Sequence, residues 1–158
     1  MTDATRQIGI IVADDHPVVA AGIRAVMEDC PSLRVLAQVG SGHEAIEQCI
    51  ALLPDVLLLD LRLPDLPGAE VCRRVKTLCP NTRVLILTSY GDDANVMTAM
   101  ASGADGYLLN LNQAVKGENR GFQVKVLKGI PKQPAGIVIR SESRLQMVRE
   151  AALEVAAG

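Results

Sequence analysis

At 158 residues, with 49% hydrophobic side chains and a mean hydropathy of +0.22, the chain is long enough for one domain with a real core. Its net charge of −2 carries no general polyanion-binding signature, and an aromatic content of 2% argues against a base-stacking surface for single-stranded nucleic acid. Aliphatic side chains must fill the core. The charge is uneven: residues 1–110 hold 8 Lys/Arg against 14 Asp/Glu, and residues 111–158 hold 8 against 4. Cys30, Cys49, Cys72 and Cys79 form no CxxC pair and read as reduced thiols in or near helix ends, not zinc ligands. No segment reaches the length of a membrane span, and the first apolar run, Ile8 to Val12, is too short for a signal peptide. A cytoplasmic protein without membrane contact is expected.

After a polar leader, residues 8–13 read as a buried, β-branched strand ended by Asp14-Asp15. His16-Pro17 opens a helix, because proline at an early helical position loses an N–H that has no partner there anyway. Its expected apolar face is Val18, Val19, Ile23, Val26 and Met27. Leu33 to Val39 is a second strand. A helix over residues 43–53 carries Ala45, Ile46, Cys49, Ile50 and Leu53 at helical spacing, and Pro54 stops it.

The third strand is the centre of the pattern. Val56-Leu57-Leu58-Leu59 is apolar without alternation, which suits a strand buried on both faces of a parallel sheet. It ends in Asp60, where open α/β sheets place their sites. Taken alone, that aspartate could equally be a strand cap or a turn residue. A helix over residues 68–79 follows, with Val71, Cys72, Val75 and Leu78 on its apolar face. Arg83 to Thr88 is a fourth strand. Asp92-Asp93 suit the positive end of a helix that runs to Ala101 and is capped by Gly103. Tyr107-Leu108-Leu109 is a short fifth strand. Strand and helix alternate with short links, so the sheet is parallel, with right-handed crossovers and helices on both faces.

In such a sheet Asp14, Asp15, Asp60 and Thr88 share one edge. Strands about 4.8 Å apart let the three carboxylates converge. Clustered acids do not ionise together unaided. Mg²⁺ resolves this, since it takes oxygen ligands and commonly bridges carboxylates to phosphate. The Thr88 hydroxyl can donate to a phosphoryl oxygen. The set supports phosphoryl transfer to a carboxylate.

These runs resemble the receiver domain of bacterial two-component response regulators. The matching pieces are residues 11–19 (Ile-Val-Ala-Asp-Asp-His-Pro-Val-Val), residues 55–64 with Gly68, residues 84–88, and residues 103–109 (Gly-Ala-Asp-Gly-Tyr-Leu-Leu). The Asp-Asp-His-Pro and Gly-Ala-Asp-Gly-Tyr-Leu-Leu runs are most similar to the LuxR/NarL-type subfamily. The resemblance implies a flavodoxin-like (CheY-like) doubly wound fold, a five-stranded parallel sheet of order 2-1-3-4-5. It implies that Asp60 accepts phosphate from a sensor histidine kinase. Asp14, Asp15, Asp60 and the backbone carbonyl of Arg62 would hold Mg²⁺. Thr88 would contact the phosphoryl group, and Tyr107 would rotate as the switch aromatic. A homodimer on activation is implied, with DNA reached only through an output domain outside this chain.

Two departures matter. The family places a lysine after the strand-five apolar pair, where this chain has Asn110, which hydrogen-bonds without charge. Lys116 is the nearest cation in sequence. The chain then leaves the pattern. Glycine and proline punctuate residues 111–140 too densely for a helix, and residues 122–127 and 137–139 are β-like runs that suit a hairpin. Residues 141–157 read as a helix. The expected organisation is a receiver core over 1–110, an atypical insertion over 111–140, and a last helix over 141–158 that completes the receiver. The tail could instead begin a second domain, or pair with another copy. Two functional rivals stay open. One is a pseudo-receiver acting as a phosphorylation-independent interaction module, favoured by Asn110. The other is an aspartyl-phosphate hydrolase, which usually carries a second Asp where Arg62 stands.

Overall fold

The computed structural model describes residues 6–89, 97–98, 100–110, 123–127, 136–139, 149, 152–153 and 156, with only the backbone of 88–89, 108–110, 123–127 and 136–139. The side chain of Val26 is likewise outside the description. The elements run β1 (Ile8–Ala13), α1 (Pro17–Glu28), β2 (Leu33–Val39), α2 (Gly42–Leu52), β3 (Val56–Asp60), α3 (Gly68–Leu78), β4 (Arg83–Ser89), β5 (Gly106–Asn110), β6 (Gln123–Leu127) and β7 (Gly136–Ile139). Residues 97–98 and 100–101 are helical. The helix start expected at Asp92 lies outside the described residues, as does Lys116.

Among the described residues, one sheet holds every strand, in the order β2-β1-β3-β4-β5-β6-β7. The first five are parallel, which is the expected 2-1-3-4-5 arrangement. The sheet then continues. β6 pairs antiparallel with β5, and β7 pairs antiparallel with β6. Among the described residues the sheet thus has the five expected parallel strands and two more, which fall on the β-like runs of the atypical segment.

The unbroken apolar runs of β1, β3 and β4 explain the core. Alternate side chains of a strand point to opposite faces, and here both faces are covered. Ile11, Ala13, Leu57, Leu59, Val84 and Ile86 pack on one face against Ala45, Ile46 and Cys49 of α2 and Val71, Cys72 and Val75 of α3. Ile10, Val12, Val56, Leu58 and Leu85 pack on the other against Ala20, Ile23 and Met27 of α1. Ala152, fully buried and helical, joins that second cluster, with Leu153 and Ala156 beside it. Each buried Val, Leu, Ile or Met among them contributes roughly 1.5–3 kcal/mol on leaving water.

Four residues expected on apolar helix faces are exposed instead. Val18 is 85% exposed, Leu53 68%, Leu78 55% and Ile50 51%. Val18 lies in the first turn of α1, while Ala20, Ile23 and Met27 hold the stripe that meets the sheet. Leu53 leaves α2 in a left-handed conformation (φ 47°), since the following Pro54 disfavours the helical one. Ile50 and Leu78 fall near helix ends, beyond the narrow stripe that meets the sheet. Cys49, Cys72 and Cys79 are buried and Cys30 is half-buried.

Carboxylates stitch the edge of the sheet opposite the candidate site. Asp55 accepts from the Gly9 N–H at 2.8 Å and from Arg6 at 2.7 Å. Asp105 accepts from the Val84 N–H at 2.8 Å and from Lys76 at 3.1 Å. Buried Thr82 donates its hydroxyl to the Pro54 carbonyl at 2.8 Å.

Candidate functional site

Register places the acids. Ala13 of β1 lies opposite Leu59 of β3, so Asp14 and Asp60, each one residue further, stand level at the carboxyl edge of neighbouring strands. Asp60 in turn lies opposite Leu87 of β4, which sets the Thr88 backbone one residue beyond it. Thr88 pairs with Leu109, and Ser89 with Asn110. The side chains of Thr88 and Asn110 are outside the described set, so their roles remain expectations. Tyr107 lies opposite Ile86 and packs, partly buried, against the core under α3.

The same local device orients both level acids. Asp14 Oδ1 accepts from the N–H of His16 at 2.8 Å, and Asp60 Oδ1 accepts from the N–H of Arg62 at 3.0 Å. In each case a strand-end carboxylate holds the backbone two residues on, a turn that aspartate favours. Asp14 is nearly buried, Asp60 largely so, and Asp15 more open.

The structure adds a residue to which the motif reading gave no role in the site. His16 turns its ring back over the acids. Its Nδ1 lies 2.8 Å from Asp14, 3.1 Å from Asp15 and 3.6 Å from Asp60. One ligand atom from each of Asp14, Asp15, His16 and Asp60 fits within 4.8 Å of all the others. The signal for His16 was its position between Asp15 and Pro17: proline keeps the preceding residue extended, here at φ −98° and ψ 101°.

Burial pushes the Asp60 carboxyl above its ordinary value; the Arg62 N–H opposes this, and Asp14 adds to the rise. The Asp14 hydrogen bond and charge raise the His16 imidazole. Like charges about 4 Å apart near a protein surface repel by roughly 4 kcal/mol. Three carboxylates at this spacing are therefore suited to a shared cation. The donors are hard oxygens plus one imidazole nitrogen, a set that fits a small divalent ion. The residues present match the metal site that the motifs imply.

Further along the chain, the loop after Asp60 is fixed from α2. Ser41 accepts from the Glu44 N–H at 3.2 Å, and Asp65 accepts from the Gly42 and His43 N–H groups at 2.7 and 3.0 Å. These bonds satisfy orphan donors of the first turn of α2 and tether the loop that carries Arg62. Hydrogen bonding from those N–H groups holds the Asp65 carboxyl well below its usual range. Among the described residues, no helix is long and apolar enough to cross a membrane.

Comparison with known proteins agrees with this arrangement. The response regulator receiver domain family matches residues 10–114. The DNA-binding transcriptional activator DevR/DosR of Mycobacterium tuberculosis is 40% identical over 102 residues, covering 65% of this chain and 47% of that protein. The signal receiver domain of NarL from M. tuberculosis superposes with a TM-score of 0.63 at 36% identity, over 66% of this chain and 84% of that one. The response regulator domain of Thermotoga maritima CheB gives a TM-score of 0.72 at 20% identity, over 97% and 98%, a likeness of fold alone. The chain spans about half the length of the curated relatives it matches. The family match covers well over half of the sequence: the chain belongs to the response regulator receiver domain family and groups with its LuxR/NarL-type members.

Proposed function

We propose that Asp60 is the phospho-acceptor of a two-component switch, served by a sensor histidine kinase. The observation that carries this is the level placement of Asp14 and Asp60, with Asp15 completing a cluster whose ligand atoms lie within 4.8 Å. The Asp60 carboxylate oxygen attacks phosphorus, the bond from phosphorus to the donor's imidazole breaks, and the leaving imidazole takes up a proton. Asp14, Asp15, Asp60 and the backbone carbonyl of Arg62 would hold Mg²⁺. When bound, that ion neutralises the acids and withdraws charge from the phosphoryl oxygens. Thr88 contacts the phosphoryl group, and Tyr107 turns in response. The domain's own chemistry is limited to assisting its phosphorylation and dephosphorylation.

The receiver core spans residues 1–110, the atypical segment 111–140, and the last helix, 141–158, completes the receiver. Burial of Ala152 against the α1 side of the sheet supports that last assignment. The domain works in the cytoplasm, dimerises on activation, and reaches DNA through an output domain outside this chain.

A second reading has one residue in its favour. Asn110, paired in register with Ser89 at the end of β5, replaces the family's lysine, as a pseudo-receiver would allow. The hydrolase reading has no comparable support, with Arg62 in place of its second acid. Incubation with Mg²⁺ and acetyl phosphate separates these. An acid-stable, hydroxylamine-labile adduct, absent from Asp60→Asn, is expected. No adduct, and no Mg²⁺-dependent spectral change with beryllofluoride, would establish the pseudo-receiver. Rapid turnover of a small phosphate ester would establish the hydrolase.

A further inference from the structure

We infer that His16 is a protein ligand of the cation site and biases it toward first-row transition ions over Mg²⁺. The inference rests on the acidic cluster being the cation site proposed above. It concerns a residue outside the acids and the Arg62 carbonyl.

Three observations carry it. First, the ring nitrogen reaches all three acids. Ligand atoms about 2.1 Å from one ion and at right angles lie roughly 3 Å apart. The His16 Nδ1 lies 2.8, 3.1 and 3.6 Å from oxygens of Asp14, Asp15 and Asp60. Second, the backbone is fixed in a conformation that lets the ring reach the acids. The His16 N–H is bound to Asp14 Oδ1 at 2.8 Å, and Pro17 fixes the extended conformation from which the ring folds back. Third, the chain has only two histidines, and His43 is engaged by Asp65, on the loop after β3. No second imidazole competes for the cluster among the described residues.

The chemistry follows from the donor atoms. Mg²⁺ prefers oxygen and gives up its waters reluctantly, so an added nitrogen contributes little to its binding. Imidazole suits the later first-row ions, whose affinity for a mixed nitrogen and oxygen site rises from Mn²⁺ to Co²⁺ and beyond. On binding, Nδ1 exchanges its hydrogen for the metal and the proton leaves to solvent. With Mg²⁺ bound, the same ring is free to swing out, since it is 62% exposed.

The test uses the full chain and metal salts alone. With Mn²⁺ bound, pulsed EPR should show modulation from a directly coordinated ¹⁴N, lost in His16→Ala and kept in His43→Ala. Calorimetric titration should show His16→Ala binding Co²⁺ on the order of tenfold more weakly, with Mg²⁺ affinity changed by less than about twofold. Urea unfolding confirms that the variant folds. A wild-type spectrum without that modulation needs no variant to interpret. Absence of ¹⁴N coupling in the wild type, or a signal that survives in His16→Ala, overturns the inference. If Asp15→Asn and Asp60→Asn still weaken both ions in that case, the acidic site stands and only His16 is excluded. If those two variants bind either ion as the wild type does, the cation site itself fails, and the inference with it.

Discussion

Gly68 begins α3 directly against the loop that follows Asp60. A Cβ placed there would lie 2.7 Å from both Cα and Cδ2 of Leu61, and 3.2 Å from its carbonyl oxygen. Side-chain Cδ2 could rotate away, but Cα cannot. The start of α3 must shift to restore an ordinary contact of at least 3.4 Å, against its own bond from Gly68 N–H to the Leu61 carbonyl at 3.3 Å. Gly68 has no positive φ, so alanine fits the backbone and the penalty is steric alone. Overpacking of this kind costs about 1–3 kcal/mol. Removing glycine's freedom in the unfolded chain returns about 0.4–1 kcal/mol. Gly68→Ala should therefore lose about 1–2 kcal/mol in urea unfolding, and roughly 3–6 °C in Tm. Gly40→Ala is the matched control. Its Cβ meets nothing nearer than Asp15 Cα at 3.9 Å, so it should stay within about 0.5 kcal/mol of the wild type. If Gly68→Ala is no more destabilising than Gly40→Ala, the steric reasoning is wrong.

Two further predictions use the ionisable groups. The folded Asp65 carboxyl is depressed below its ordinary 3.8 by the His43 and Gly42 N–H groups. Its contribution is thus fully present above that value and is lost as pH falls through the folded value. Urea titrations at a series of acid pH values should show wild-type stability falling below about pH 4, with a shallower fall in Asp65→Asn; equal slopes would contradict the assignment. Burial pushes the Cys49 and Cys72 thiols up to about 12 and raises Cys79 as well. Half-buried Cys30 should therefore be the single fast-reacting thiol with a disulfide reagent at mild alkaline pH, all four reacting in urea. Rapid modification of Cys49 or Cys72 in the folded protein would show that the interior opens more readily than the packing implies.

The strands were legible because they obey the simplest rule. Val56 to Leu59 and Val84 to Ile86 are apolar without alternation, and only a sheet covered on both faces accommodates that. The level pairing of Asp14 and Asp60 was legible too, since each ends such a run. Helix faces were harder. Val18 and Leu78 have the right spacing but sit in terminal turns, where a helix can leave the sheet behind. Spacing alone does not locate that departure. His16 was hidden for a different reason. A residue that opens a helix has two possible directions for its ring, and spacing alone does not show that this one folds back onto Asp14 and Asp15 and meets Asp60 from a strand more than forty positions away. The long-range roles of Asp55, Asp65 and Asp105 were invisible on the same grounds, since each serves backbone N–H groups of another segment.

The antiparallel addition of β6 changes the standing of β5. A terminal strand keeps one row of its amides open to solvent, and these exchange their hydrogens readily. Here Leu85 to Ser89 pair with β5 on one side, and Gln123 to Val126 pair with it on the other. Its amides are those of an interior strand, opened only when the sheet itself opens. Tyr107 is therefore mounted on backbone clamped from both flanks. Any reorientation of that ring has to come from its own side-chain torsions, without loosening of the strand beneath it.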